Sequence, residues 1–119
     1  MADLELENAF IEEYEGAQEQ LEKGRYKNAT ILFSKSIFVL CDILIYSKLK
    51  KLPKNHSERF RILEGFFPNI YSLVDSIFGD YVDAYSKPVL KETSEKIKNA
   101  INEIVKDNGL SEKIKKIVE

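Results

Sequence analysis

The segment 26–50 constrains the fold of this chain most, because it is apolar on nearly every side of a helix. Its apolar residues recur at the three- and four-residue steps of a helical stripe, and others extend that stripe around the axis. The stripe comprises Ala29, Phe33, Ile37, Leu40 and Leu44, and it is extended by Phe38, Val39, Ile43 and Tyr46. A helix of this length spans about 35 Å. The segment is therefore predicted to be the central buried helix, enclosed by other elements.

Further helical segments can provide that enclosure. Apolar periodicity and end signals predict a first helix ending at Gly24, a third starting near His56, a fourth starting at Pro68, a fifth running from about Thr93 to Asn108-Gly109, and a tail capped by Ser111. Strand alternation occurs nowhere for more than a few residues, and 5 Gly and 3 Pro provide few turns. The predicted fold class is all-α: one domain over residues 1–119, an up-and-down bundle of about five helices with a short C-terminal helical tail.

The junction between the second and third helices carries the clearest local signals. Pro53 stops the second helix near Leu49 or Lys50. Asn55, followed three residues later by Glu58, has the layout of a capping box with Asn in place of Ser or Thr. The third helix is therefore predicted to open beside this basic junction.

Charge is distributed unevenly along the chain, although the formal net charge is only -2. Residues 1–22 carry eight acids and no base, whereas residues 48–61 carry six bases and one acid. The near-neutral total removes the uniformly basic surface of a generic nucleic-acid binder. Two arrangements stay open: the basic segment packs against the acidic first helix, or it forms an exposed basic patch.

Composition excludes several classes of site and location. One Cys and one His can form neither an internal disulfide nor a Cys/His zinc cage, so no metal or other cofactor is predicted. The N-terminus is acidic where a secretory signal is basic and then apolar. The most apolar stretch, Ile37 to Tyr46, is interrupted by Asp42 and falls short of the roughly 20 residues that span a bilayer. The prediction is a soluble, cytoplasmic protein without a membrane partner.

Few residues here could carry chemistry. Cys41 lies within the apolar helix and is predicted to be an inert packing thiol. Three carboxylates of the fourth helix, Asp75, Asp80 and Asp83, form no tidy pair, and no Glu-x-x-His signature accompanies them, so a di-metal bundle site is not predicted. No Gly-rich phosphate loop, Walker lysine or nucleophile elbow is present.

The basic junction provides the candidate ligand site. His56 and Arg59 are three residues apart and share a helix face, whereas Arg61 points away from Arg59 by about 160°. Lys51, Lys54, His56 and Arg59, with the positive end of the third helix, would form an anion or phosphate site. The alternative is a locally hydrogen-bonded histidine within a solvated basic rim.

Two tyrosines of the fourth helix are candidates for stacking. Tyr81 and Tyr85 share a face at four-residue spacing and could stack a nucleobase. The alternative is that both form the edge of the core.

Four features follow one another along the chain: a long apolar helix, a junction at Pro53 and Lys54 before His56, an aromatic-rich helix and a break at Tyr85 to Pro88. Together they resemble the HEPN domain family of helical bundles. Residues 24–60, GRYKNATILFSKSIFVLCDILIYSKLKKLPKNHSERF, resemble the family's long second helix and its Pro-Lys-x-x-His junction, here Pro53, Lys54 and His56 with one residue between Lys and His. Residues 70–105, IYSLVDSIFGDYVDAYSKPVLKETSEKIKNAINEIV, resemble the rest of the bundle, with a Tyr-x-x-Pro break from Tyr85 to Pro88. The likeness covers about residues 5–106.

The resemblance implies a function as well as a fold. Ribonuclease members carry Arg, four to six residues and then His near the start of the final long helix, and no Arg or His lies between Glu64 and Glu119. The chain therefore resembles the non-catalytic branch, whose members are small homodimers that often act beside a minimal nucleotidyltransferase in toxin-antitoxin-like pairs. The expected ligand is that partner, a nucleotide or RNA.

Two other interpretations stay open. The segment EKGRYKNATILFSKSI resembles a tetratricopeptide helical hairpin through Gly24, Tyr26, Ala29 and Phe33, but no second copy follows, whereas about three repeats are needed to bury a core. The chain could therefore be a purely structural interaction module without nucleotide binding. A diverged ribonuclease using His56 is the third hypothesis.

Overall fold

Six α-helices account for most of residues 2–118, the part of the chain that the computed structural model describes. In chain order they are α1 (Ala2–Glu22), α2 (Tyr26–Leu49), α3 (His56–Phe66), α4 (Pro68–Asp83), α5 (Lys91–Asp107) and α6 (Glu112–Val118). No β-strand occurs in this range. The predicted all-α helical bundle is confirmed, and α6 is the predicted C-terminal tail.

Helix α2 lies at the centre, where it packs against α1, α3, α4 and α5. Its predicted apolar stripe is buried, and Cys41 and Ile45 are buried with it. Taken as a whole, α2 has the length and composition of a membrane span, with a mean hydropathy of 1.8 over its most apolar 18 residues. However, 61% of that window is buried within the bundle, as expected of a core helix. The cytoplasmic location stays a prediction.

Helix α3 runs beside α2 in the same direction, so this pair departs from the up-and-down alternation that the sequence predicts. Successive contacts along the two helices join His56 to Phe38, Arg59 to Asp42 and Phe66 to Lys48. The connection 50–55 must therefore return along α2 before α3 begins. Lys50 starts this return in the left-handed conformation, with φ 58°, and its backbone N–H donates to the carbonyl of Tyr46 at 2.8 Å. This path brings the start of α3 to the middle of α2.

The predicted caps set the ends of the helices around this junction. The backbone N–H of Glu58 donates to Asn55 Oδ1 at 2.9 Å, and Glu58 Oε1 accepts from the backbone N–H of Lys54 at 3.3 Å. The capping box thus forms, with its return bond one residue before the cap. Helix α4 begins at Pro68 as predicted, and α5 begins at Lys91, two residues before the predicted start.

Candidate functional site

Aromatic rings fill the junction of α2, α3 and α4. Phe38 lies at the centre, with its ring centroid 4.8 Å from the imidazole of His56 and 5.1 Å from the ring of Tyr81. Phe78 of α4 and Phe60 of α3 continue the enclosure, with centroids 5.3 Å and 6.4 Å from that of His56. Edge-to-face and offset pairs such as these stabilise beyond the area they bury. His56 is therefore held among rings from three helices.

An ion pair between α2 and α3 borders this cluster. Arg59 Nε donates to Asp42 Oδ1 at 2.8 Å and Arg59 Nη2 donates to Asp42 Oδ2 at 3.0 Å, so the guanidinium grips the carboxylate with two parallel bonds. The two side chains are only 12% and 16% exposed. The guanidinium carbon also lies 5.6 Å from the centroid of the Phe38 ring. Asp42 thus compensates the positive charge of Arg59, which was predicted to belong to an anion site.

The predicted neighbourhood of His56 and Arg59 is present. Arg59 Nη1 lies 2.7 Å from His56 Nδ1. The pKa of His56 is lowered below 6.5, chiefly because partial burial disfavours the charged imidazolium and further because of the nearby Arg59. Asp42 opposes this shift. The arrangement therefore favours an uncharged imidazole at neutral pH.

The two tyrosines extend the cluster to the surface. The Tyr81 ring lies 6.2 Å from the His56 ring, the Tyr85 ring lies 5.5 Å beyond it, and the two phenol oxygens are 3.3 Å apart. Burial, with the hydrogen bond to Tyr85, raises the pKa of Tyr81 to about 12. Tyr85 is 53% exposed. The structure thus brings His56 of the basic junction and the two separately predicted tyrosines into one ring cluster.

Most bases of the segment 48–61 are exposed. The largely buried one, Arg59, pairs with Asp42 of α2. Lys51 and Lys54 are exposed, as is Arg61, which points away from the pair formed by Arg59. Of the two arrangements left open by the sequence, the exposed basic patch is the one found.

Sequence reasoning missed two parts of this site. Asp42 was interpreted only as an interruption of an apolar stretch, although a lone acid inside a buried helix signals a buried partner. Phe38 is predicted only to extend the apolar stripe of α2, and the sequence does not predict that Phe60 and Phe78 join it in one cluster. Their joint contact with His56 depends on the unforeseen path of the connection 50–55.

The remaining thiol and carboxylates lie outside this chemistry. Cys41 is fully buried, and burial, with the neighbouring Asp42, raises the pKa of its thiol to about 12, so the nucleophilic thiolate is not formed at neutral pH. Among the described residues, no three His, Cys, Asp or Glu side chains are placed to hold a metal ion together.

Fold and site together define a small helical bundle with an aromatic, histidine-containing junction beside an exposed basic segment. No known family model, no curated protein and no solved structure matches the chain.

Proposed function

We propose that the protein is a non-catalytic, HEPN-like binding module that self-associates and binds a nucleotide, RNA or a minimal nucleotidyltransferase partner at its basic helix-start site. The observation that carries the proposal is the meeting of two features on one surface. The exposed Lys54 lies two residues before His56, whose ring belongs to a cluster that reaches the exposed Tyr85. Cations that contact phosphates, beside aromatic faces that stack bases, are the usual means of binding single-stranded nucleic acid.

Each predicted residue takes a role consistent with its surroundings. Lys51 and Lys54 are free to contact phosphates, and Tyr85 provides the exposed stacking surface. Arg59 is committed to Asp42 and to His56, so its contribution is to hold the imidazole. A non-catalytic role is supported by the engagement of His56 Nδ1 with Arg59 and by the protonated, buried thiol of Cys41.

Replacing Lys51 and Lys54 together by Ala is expected to weaken binding of a labelled single-stranded RNA about tenfold at low salt, because two phosphate contacts are lost. The slope of log affinity against log salt should fall in magnitude by about 1.4. Fluorescence anisotropy over a salt series measures both quantities. The matched control removes two exposed lysines elsewhere, Lys106 and Lys116. No binding by the wild type at low salt, or an equal loss in the control, would count against the proposal.

Self-association is supported by the outer face of α2. Ile31, Val39 and Tyr46 lie seven and eight residues apart on one face of α2, on both sides of the exposed Lys35, and are only half-buried. A second copy could cover them. Light scattering during gel filtration should give twice the chain mass of 13.8 kDa. Val39→Lys should shift the protein to monomer, whereas Asn99→Lys on exposed α5 should not.

The second candidate, a helical interaction module without nucleotide binding, is favoured by one specific observation. Asp42 compensates the charge of Arg59, so the positive charge available to a phosphate is reduced. Of the four predicted site residues, Lys51 and Lys54 keep free positive charges at the helix start. Apolar docking should depend little on ionic strength, whereas phosphate binding weakens steeply with salt. The salt series described above therefore also separates the two functions.

A further inference from the structure

We infer that Arg59, anchored by Asp42, is a positioning residue that holds His56 as the uncharged Nε2–H tautomer. His56 then offers a hydrogen-bond donor, and no positive charge, to whatever binds at this surface. The tautomer is a property of the free protein, whereas the contact with a ligand rests on the proposed function. This positioning role of Arg59 differs from the anion contact that the sequence suggested.

The tautomer follows from the chemistry of the two side chains. A guanidinium stays protonated in proteins and carries donors but no acceptor, so at 2.7 Å Arg59 Nη1 must donate and His56 Nδ1 must accept. A neutral imidazole has one donor nitrogen and one acceptor nitrogen. With Nδ1 as the acceptor, the proton lies on Nε2. Protonation of Nδ1 would set two N–H groups against each other at this distance.

Arg59 cannot readily turn away to relieve such a conflict. Two of its nitrogens are bonded to the two oxygens of Asp42, and its guanidinium packs over the ring of Phe38. The third nitrogen is thereby aimed at the imidazole. Asp42 thus fixes the orientation of Arg59, and Arg59 in turn fixes the tautomer of His56.

Among the groups around His56, Asp42 favours the charged imidazolium, but burial and Arg59 outweigh it. Helix α4 presents Tyr81, which burial keeps protonated, and the phenyl ring of Phe78. Helix α2 presents Asp42, whose two oxygens are already occupied by Arg59. On α3 itself, Arg59 opposes protonation. The lowered pKa of His56 agrees with this environment.

A neutral donor selects a class of ligand group. Nε2–H would pair with an uncharged acceptor, such as a carbonyl oxygen or ring nitrogen of a nucleobase, while phosphates would meet Lys51 and Lys54. Binding should then change little as the pH falls from 8 to 6.5. An imidazolium that contacted phosphate would instead strengthen binding over the same range.

His56 is the one histidine of the chain, so its signals are unambiguous. Long-range proton–nitrogen NMR on the ¹⁵N-labelled protein, without ligand, should show protonation at Nε2 only and a titration midpoint below 6.5. Arg59→Gln should raise that midpoint, because a positive charge is lost and Asp42 is left beside the ring. Arg61→Gln, the matched control on the exposed face, should leave it unchanged. A wild-type Nδ1–H tautomer, or a midpoint at or above 6.5, would overturn the inference even if Arg59→Gln does not fold.

The proposed contact between neutral His56 and a ligand is tested by measuring the affinity of labelled oligouridylate at fixed salt between pH 8 and 6.5. We expect a change of less than about twofold, because neither phosphodiesters nor a neutral His56 titrate appreciably in this range. A steady rise in affinity as the pH falls, lost in His56→Gln, would refute the neutral-donor role. Absence of binding at every pH would refute this contact together with the proposed function, and would leave the tautomer to be decided by NMR.

Discussion

Asp42→Asn is expected to lower the free energy of unfolding by about 3 kcal/mol. The substitution keeps the size of the side chain but removes the charge that compensates Arg59, whose side chain is only 12% exposed. A buried guanidinium without its counter-ion retains its desolvation penalty and loses its partner. Urea unfolding followed by far-ultraviolet circular dichroism measures the change.

The control for this effect is a second ion pair of equal length and greater exposure. Lys96 Nζ lies 2.8 Å from Asp80 Oδ2, the same distance as in the Arg59–Asp42 pair, but these side chains are 52% and 32% exposed. Asp80→Asn should therefore cost less than about 1 kcal/mol. Equal losses at the two sites would show that burial does not determine the strength of the Asp42 pair.

A double variant separates the worth of the pair from the cost of breaking it. Replacing Asp42 by Leu and Arg59 by Met together leaves no buried charge and keeps apolar volume, so it should destabilise less than either single replacement. The tautomer of His56 should no longer be fixed in this variant. This result would show that the Asp42–Arg59 pair orients His56 and contributes little net stability.

Local signals account for what the sequence predicted well. The start of α3 depends on Asn55 and Glu58, which contact each other three residues apart, and the start of α4 depends on Pro68; neither needs knowledge of the fold. The burial of α2 follows from its composition alone. The start of α5 was placed two residues late, because its cap residue, Leu90, makes no side-chain hydrogen bond that could mark it.

The composition of the site depended on contacts that local signals do not encode. The bond between Asp42 and Arg59 joins residues 17 apart and exists because the connection 50–55 returns along α2. A connection leading directly away from the end of α2 would have placed His56 far from Phe38. Spacing along the helix predicted that His56 and Arg59 share a face; the partner of Arg59 on α2 could be identified only from the three-dimensional path of the chain.

Phe38→Ala is the second substitution with a large expected effect. It should change both the free energy of unfolding and the pKa of His56. Phe38 is 5% exposed and contacts His56, Tyr81 and the guanidinium of Arg59. Deleting a buried phenyl ring leaves a cavity and should cost about 3–4 kcal/mol of unfolding free energy. Water entering that cavity would relieve the desolvation that chiefly lowers the pKa of His56, so this pKa should rise toward 6.5.

Phe33→Ala distinguishes a local effect on the site from general loosening of the bundle. Phe33 is fully buried on the same helix, but its ring packs against Tyr14 of α1, at a centroid distance of 5.5 Å. Its loss should cost a similar free energy and leave the titration midpoint of His56 unchanged. If both variants shift that midpoint equally, the pKa depends on the stability of the whole bundle. If Phe38→Ala alone shifts it, the enclosure of His56 by rings from three helices sets its charge, and the same packing that stabilises the core also determines what the surface can bind.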